Sequence, residues 1–300
     1  MKIGWIGLGN MGKPMAKHVQ EAGYEFAVHD LRRNVAADML EAGAHWAESP
    51  AEVAEGKDIV FTCLPMPEDV ASVALGPRGI LEGLPPHGIF IDMSTNSLSM
   101  IKHLHAAFAD KGRRMLDAPV SGGVQGAISR DLVVMASGDA ETYQQVKPVL
   151  DAIGDKVIYC GPIGNGTICK LCHNLMTAGI YQVLAEILTM GVKAGVDVAT
   201  LADAMSKGAT GKQPPLARWW DTTFKGKFEG TPMSFYLELM RKDVRLACEL
   251  GREVNVPMEI ANIVEQRFIT AMNRGWGRMN SNAAILLQEE RAGVKLRIRE

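Results

Sequence analysis

The chain has 300 residues, 47% of them hydrophobic, which is enough for two ordinary domains with cores of their own. A net charge of −2 with interspersed signs argues against a nucleic-acid or anionic-membrane partner, and no apolar run approaches the ~20 residues needed to span a bilayer. Five cysteines, an odd number among apolar neighbours, fit a reduced cytoplasmic protein better than a disulfide framework, and Met1 opens onto a strand pattern rather than a leader.

Lys2 to Ile6 reads as a short buried strand that runs into Gly7-Leu8-Gly9-Asn10-Met11-Gly12 and then into a helical pattern, Met15 to Ala22, stopped by Gly23. This is Gly-x-Gly-x-x-Gly in the strand–turn–helix setting that gives the motif its meaning. Gly7 permits the tight turn, Gly9 lets backbone approach a pyrophosphate, and Gly12 allows close helix–strand packing. A second strand, Glu25 to His29, ends at Asp30, 18 residues beyond Gly12, where a carboxylate accepts from ribose hydroxyls and repels a 2′-phosphate. That points to NAD; Arg32 and Arg33 follow, and NADP is the alternative.

The α/β alternation continues through strands at Asp58 to Cys63 and Ile89 to Met93, which end in Leu64-Pro65-Met66-Pro67 and Ser94-Thr95-Asn96. In an open parallel sheet, ligands lie beyond the C-terminal strand ends, so Leu64, Pro65 and Thr95 are candidate cofactor contacts. The plainer readings are a proline turn for Pro65 and Pro67, and an N-cap for Thr95 before a helix around Ile101 to Lys111. After a strand at Met115 to Val120, Ser121-Gly122-Gly123-Val124-Gln125-Gly126 offers bare backbone N–H groups and a hydroxyl, which suit a carboxylate; otherwise it is a surface loop. Leu132 to Ala136 and Val157 to Tyr159 are further strands around a helix at Ala140 to Ile153.

Gly161, Gly164 and Gly166 then lead into a long helical pattern from Thr167 toward Lys193. Lys170 and Asn174, four apart, share one helix face and together could grip and protonate a small oxygenated substrate; the competing reading is a solvated surface lysine. Beyond Lys193 strand signals stop, and Thr200 to Ser206, Phe235 to Glu253, Glu259 to Arg274 and Ala283 to Arg291 read as helices. The boundary therefore falls in the glycine turn, with residues 1–163 binding dinucleotide and 164–300 forming an all-α substrate and dimerisation domain. So long an apolar first helix predicts burial against a second copy, in a homodimer or homotetramer.

Three features of this half carry weaker signals. Gly208 to Pro215 is a loop suited to lining a pocket, and Trp219, Trp220, Phe224 and Phe228 beside it read as core or interface aromatics. Arg241-Lys242-Asp243 reads by spacing as an exposed charged face. Cys169-x-x-Cys172 with His173 has no second ligand pair at metal-site spacing, and reads as small-residue helix packing rather than redox or metal chemistry.

Taken in order, Gly7 to Gly12, Leu64-Pro65, Asp92-Met93-Ser94-Thr95, Asp117 to Gly123, Gly161…Lys170…Asn174 and Lys242-Asp243 resemble the β-hydroxyacid dehydrogenases across essentially the whole chain. This is the family of 3-hydroxyisobutyrate dehydrogenase and tartronate semialdehyde reductase. The resemblance implies a Rossmann-type doubly wound parallel sheet followed by an all-α domain joined by a long interdomain helix. It also implies a small 3-hydroxy acid or its semialdehyde as substrate, with NAD or NADP as cofactor. Lys170 then corresponds to the catalytic lysine, Ser121, Gly122 and Gly123 to the substrate-carboxylate loop, and Asn174 to the substrate-orienting amide. Leu64, Pro65, Asp69, Thr95 and Lys242 fall where the family contacts its cofactor. The rival readings are an NADP-dependent reductase of the tartronate semialdehyde or glyoxylate type, and a nucleotide-binding scaffold without turnover.

Overall fold

A computed structural model describes residues 1–208, 222–232 and 234–298. The chain divides into two compact units, Met1–Leu171 and Cys172–Glu300. In the first unit the elements run β1 (Lys2–Ile6), α1 (Gly12–Glu21), β2 (Glu25–His29), α2 (Ala37–Glu41), β3 (His45–Trp46), α3 (Pro50–Ala54) and β4 (Ile59–Thr62). They continue with α4 (Pro67–Leu75), α5 (Ile80–Gly83), β5 (Ile89–Asp92), α6 (Leu98–Ala109), β6 (Arg114–Asp117), β7 (Val120–Ser121), α7 (Gly123–Ser129), β8 (Val133–Gly138), α8 (Ala140–Ile153) and β9 (Lys156–Tyr159).

The strand order is β3-β2-β1-β4-β5-β6-β8-β7, with β9 beside β8. From β3 to β6 every pairing is parallel, and β1 is the point where the order reverses, as a doubly wound sheet requires. All four residues of β4 and of β5 are buried, because helices cover both faces; such strands read as unbroken apolar runs rather than alternating ones. Trp5 stacks on Phe61 with ring centroids 5.0 Å apart within one face's core, and Phe90 on Phe108 at 4.8 Å within the other.

Beyond β6 the sheet departs from the expected parallel pattern: β8 runs antiparallel to both β6 and β7. β7 carries on from β6, and α7 then turns the chain back, so β8 returns in the opposite direction. That turn also corrects the reading of residues 121–126 as a loop, since helix begins at Gly123.

The second unit is helical. α9 (Asn165–Lys193) passes from the first unit into it, followed by α10 (Val198–Lys207), α11 (Leu237–Glu253), α12 (Glu259–Asn273), a 3₁₀ turn (Ser281–Ile285) and α13 (Leu286–Ala292). By length and composition α9 could cross a membrane, with mean hydropathy 1.4 over its most apolar window, so the expectation of no such run is corrected. One face of it nevertheless packs as core: Ala178, Leu184, Ala185 and Leu188 join Phe224, Phe228, Met240 and Phe268. Phe224 and Phe228 are thus core aromatics, whereas Trp219, Trp220 and the loop from Ala209 to Pro215 lie outside the described residues.

Candidate functional site

In the first unit, candidate residues sit where the parallel strands end. Gly7, with φ +95°, turns the chain at the end of β1, and a Cβ there would strike the Cys63 carbonyl. A Cβ on Gly12 would strike the Gly7 carbonyl, whereas one on Gly9 would meet nothing within 4 Å. The outer glycines are therefore required by packing, whereas Gly9 faces open space above the turn. α1 follows with no side-chain cap at Met11; the Lys13 N–H is taken by the Gly9 carbonyl at 3.0 Å and Pro14 has none, so the Gly12 N–H at the helix start is the one that suits an anion. These observations fit a dinucleotide's pyrophosphate.

Asp30 closes the turn from the neighbouring strand. Its Oδ2 accepts from the Leu8 N–H at 2.8 Å and its Oδ1 from the Arg32 N–H at 2.9 Å, leaving lone pairs for ribose hydroxyls. The two arginines differ. Arg33 is committed to Glu48 at 3.1 Å and to the Trp46 ring at 5.5 Å, while Arg32 is largely exposed with Nε 3.6 Å from Asp30.

At the ends of β4 and β5, Asp92 is fully buried and organises both loops. Thr62 Oγ1 and the Ser94 N–H donate to its Oδ1 at 2.8 and 3.0 Å, and Asn96 Nδ2 donates to its Oδ2 at 2.9 Å. Ser94 Oγ in turn accepts from the Leu64 N–H at 2.9 Å, tying the two candidate cofactor loops together. Burial raises the Asp92 pKa above the ordinary carboxylate range, against the opposing pull of its hydrogen bonds to Ser94, Asn96 and Thr62. The N-cap of α6 is Ser97, which accepts from the Met100 N–H at 3.1 Å, so the capping role expected for Thr95 belongs two residues later. Pro65 is exposed, and Asp69 lies exposed in the first turn of α4, where an acid also suits the helix dipole.

At the end of β6 a second buried carboxylate, Asp117, receives four donors from later in the chain. The Ser137 hydroxyl makes a short bond to Oδ1, and the Gly164 N–H donates to the same oxygen at 2.8 Å. The Thr167 N–H and hydroxyl donate to Oδ2 at 2.7 and 2.8 Å. Ser137 Oγ also accepts from the Gly166 N–H at 2.9 Å, and a Cβ on Gly166 would strike the Met135 carbonyl. The start of α9 is thus pressed onto β8 and capped by Asp117. Lys170, half-buried, lies three residues past Thr167, and Ser121 lies four residues past Asp117. Gly122 and Gly123 take φ of +146° and +66° with their backbone exposed, and a Cβ on Gly122 would meet the Asp131 carbonyl at 2.6 Å.

In the second unit, Asn174 and Lys242 meet through Asp243, which spacing alone places on an exposed charged face. Asn174 Nδ2 donates to Asp243 Oδ2 at 2.6 Å, and Lys242 Nζ lies 3.0 Å from Asp243 Oδ1, an ion pair rather than an aligned hydrogen bond. Asn174, Lys242 and Asp243 are each 5% exposed or less, which overturns the reading of Arg241-Lys242-Asp243 as an exposed charged face. Cys169 and Cys172 are exposed free thiols, so the expected packing of this pair is not seen among the described residues. Cys160 is pushed up to about 12, by burial first and then by neighbouring Cys169. Among the described residues no cluster of His, Cys, Asp and Glu could hold a metal ion.

Residues 2–161 match the NAD binding domain of 6-phosphogluconate dehydrogenase, and residues 164–287 match the NAD-binding domain of NADP-dependent 3-hydroxyisobutyrate dehydrogenase. The chain is 34% identical to 2-(hydroxymethyl)glutarate dehydrogenase of Eubacterium barkeri over 296 residues, covering 99% of this chain and 97% of that one. It is 34% identical to the NAD-dependent L-serine dehydrogenase of Pseudomonas aeruginosa over 257 residues, 84% of this chain and 85% of that one. Among solved structures, 3-hydroxyisobutyrate dehydrogenase from Salmonella typhimurium superposes with a TM-score of 0.84 at 26% identity, covering 96% of this chain and 99% of that one.

Proposed function

The chain belongs to the β-hydroxyacid dehydrogenase family of NAD(P)-dependent oxidoreductases, and on that premise we propose that it oxidises a small 3-hydroxy acid with NAD, or reduces the corresponding semialdehyde. The observation that carries this reading is the pairing of a dinucleotide turn closed by Asp30 with a half-buried lysine on a glycine-led helix. The named substrates of the relatives above share a hydroxymethyl group on the carbon that bears the carboxylate, and a hydroxymethyl acid of this kind is the proposed substrate class.

NAD, when bound, supplies the hydride acceptor at C4 of its nicotinamide. The chain's own residues do the rest. Gly7 to Gly12 and Asp30 hold the dinucleotide, with Leu64, Pro65, Asp69, Thr95 and Lys242 as further contacts. Ser121, Gly122 and Gly123 bind the substrate carboxylate through hydroxyl and backbone N–H groups. Lys170 takes the hydroxyl proton on oxidation and returns it on reduction, and Asn174 orients the reacting oxygen. Asp30, with Arg33 already held by Glu48 and Trp46, supports NAD over NADP. Residues 1–163 act as the dinucleotide-binding domain and residues 164–300 as an all-α substrate and dimerisation domain. A homodimer or homotetramer is supported by the face of α9 left open, where Met176, Val183 and Met190 recur every seven residues at 54, 56 and 66% exposure.

Lys170→Ala is expected to lower kcat by ~10³-fold, within the range for losing a general acid/base, while NADH still binds. Rates with 3-hydroxyisobutyrate, L-serine and glycerate, each with NAD and NADP, test the substrate class and the coenzyme together. NADH binding without turnover on any acid would favour the scaffold, and a preference for NADP with semialdehydes would favour the alternative reductase.

A further inference from the structure

Asp117 is 1% exposed and lies in the sheet, yet its donors come from Ser137, Gly164 and Thr167, at the end of β8 and at the start of α9. A buried carboxylate in this position needs several donors to remain in place, and here two are N–H groups that a helix start leaves without partners and two are hydroxyls. The consequence is mechanical. Thr167 is gripped by backbone and hydroxyl together, Gly164 is gripped just before it, and Gly166 is fixed through Ser137. Gly164 has φ +91°, so without this tie the helix would start from a bend that glycine leaves free. Lys170 stands less than one turn beyond Thr167, and its position follows that of the first helical turn.

The geometry points to Asp117 as a positioning residue for the reaction: it fixes the start of α9, and through it the placement of the Lys170 amine relative to the Ser121–Gly123 segment that follows β6. This rests on the reading of Lys170 as the acid/base group. Proton transfer and hydride transfer both demand placement within a fraction of an ångström, and a small drift of a reacting group costs on the order of 10²-fold in rate. The cost falls on kcat, because Asp117 belongs to neither the glycine turn nor Asp30.

The test compares Asp117→Asn, Ser137→Ala and Thr167→Val, alone and combined with Lys170→Ala, with kcat expressed per NADH-binding site. Asp117→Asn is expected to lower kcat ~30- to 100-fold, and Ser137→Ala and Thr167→Val several-fold, with KM for NAD within about twofold of wild type. The deuterium isotope effect on hydride transfer should rise as the chemical step becomes limiting. In the Lys170→Ala background the same substitutions should add almost nothing, since a missing amine cannot be misplaced. Wild-type kcat per site in all three single variants, whatever their melting temperature, would overturn the inference. So would effects that simply multiply with Lys170→Ala. If Asp117→Asn does not fold, the other two variants decide by the same readouts. Full activity in Lys170→Ala itself would instead sink the reading of Lys170 on which the inference stands.

Discussion

Asp92 and Asp117 are register partners at the ends of neighbouring strands, both buried, both saturated with donors. They do different work because their donors come from different distances along the chain. Asp92 is held largely by the loop that follows it, through the Ser94 N–H and Asn96 Nδ2, with Thr62 from the next strand. Asp117 is held by groups 20, 47 and 50 residues away. The first carboxylate braces its own loop and the adjoining end of β4; the second fastens the end of β8 and the start of α9 to β6. At Asp92, burial also pushes the carboxyl toward its protonated form.

The comparison breaks most decisively at Asp117. Asp117→Ala leaves the Gly164 and Thr167 N–H groups and two hydroxyls without their acceptor, and is expected to destabilise the first unit by ~3–5 kcal/mol in urea unfolding. A loss under ~1 kcal/mol would mean that those donors find other partners and that the tie is not a tie. Asp92→Ala should cost less, ~1–3 kcal/mol, because it strands three donors rather than four, two of them in its own loop. Asp92→Asn sharpens the contrast through pH. A carboxyl whose folded pKa is raised contributes its stability below the ordinary value of 3.8 and loses it as pH rises through the higher folded value. Wild type should therefore fall relative to Asp92→Asn as pH climbs toward neutrality, and a flat difference across that window would show that Asp92 stays ionised without penalty.

The same distinction explains what the sequence discloses. The glycine turn, Asp30 and the strand ends are legible because each is a local pattern: Gly7 and Gly12 announce their packing roles within one turn of chain. The helix over residues 165–193 and its neighbours are legible from apolar spacing. Asp117 as a helix cap and Asp243 as the support of Asn174 are not, since their partners lie 50 and 69 residues away and no spacing rule links them. The signal available for Asp243 was its place in the run Arg241-Lys242-Asp243 on a helix rich in charge, which solvation explains equally well until burial is known. The short helices of four and five residues at 80–83 and 50–54 are below the length at which periodicity speaks. At 50–54 the Ser-x-x-Glu spacing of a capping box was nonetheless present: Ser49 Oγ accepts from the Glu52 N–H at 3.2 Å, while Glu52 Oε2 reaches one residue past the cap to accept from the Glu48 N–H at 2.8 Å. The antiparallel return at β8 was hidden for another reason, because strand direction depends on what a turn does and not on the strand's own residues.

A third carboxylate gives the small end of the scale and a control for the other two. Asp38 lies on the surface between Lys17 at 2.6 Å and Lys13 at 2.9 Å, and their hydrogen bonds, Lys17 first, lower it to about 2. Its side chain is 42% exposed, so solvent screens the pairs and Asp38→Asn should cost ~0.5 kcal/mol or less near neutral pH. The sign is opposite to that of Asp92: a lowered carboxylate contributes above its ordinary value of 3.8, and the contribution disappears as pH falls toward about 2. Wild type and Asp38→Asn should thus converge on acidification and in high salt, whereas wild type should regain ground on Asp92→Asn as pH falls. If Asp38→Asn instead cost as much as a substitution at Asp117, burial would no longer be what separates these carboxylates, and the long-range tie would lose its special standing.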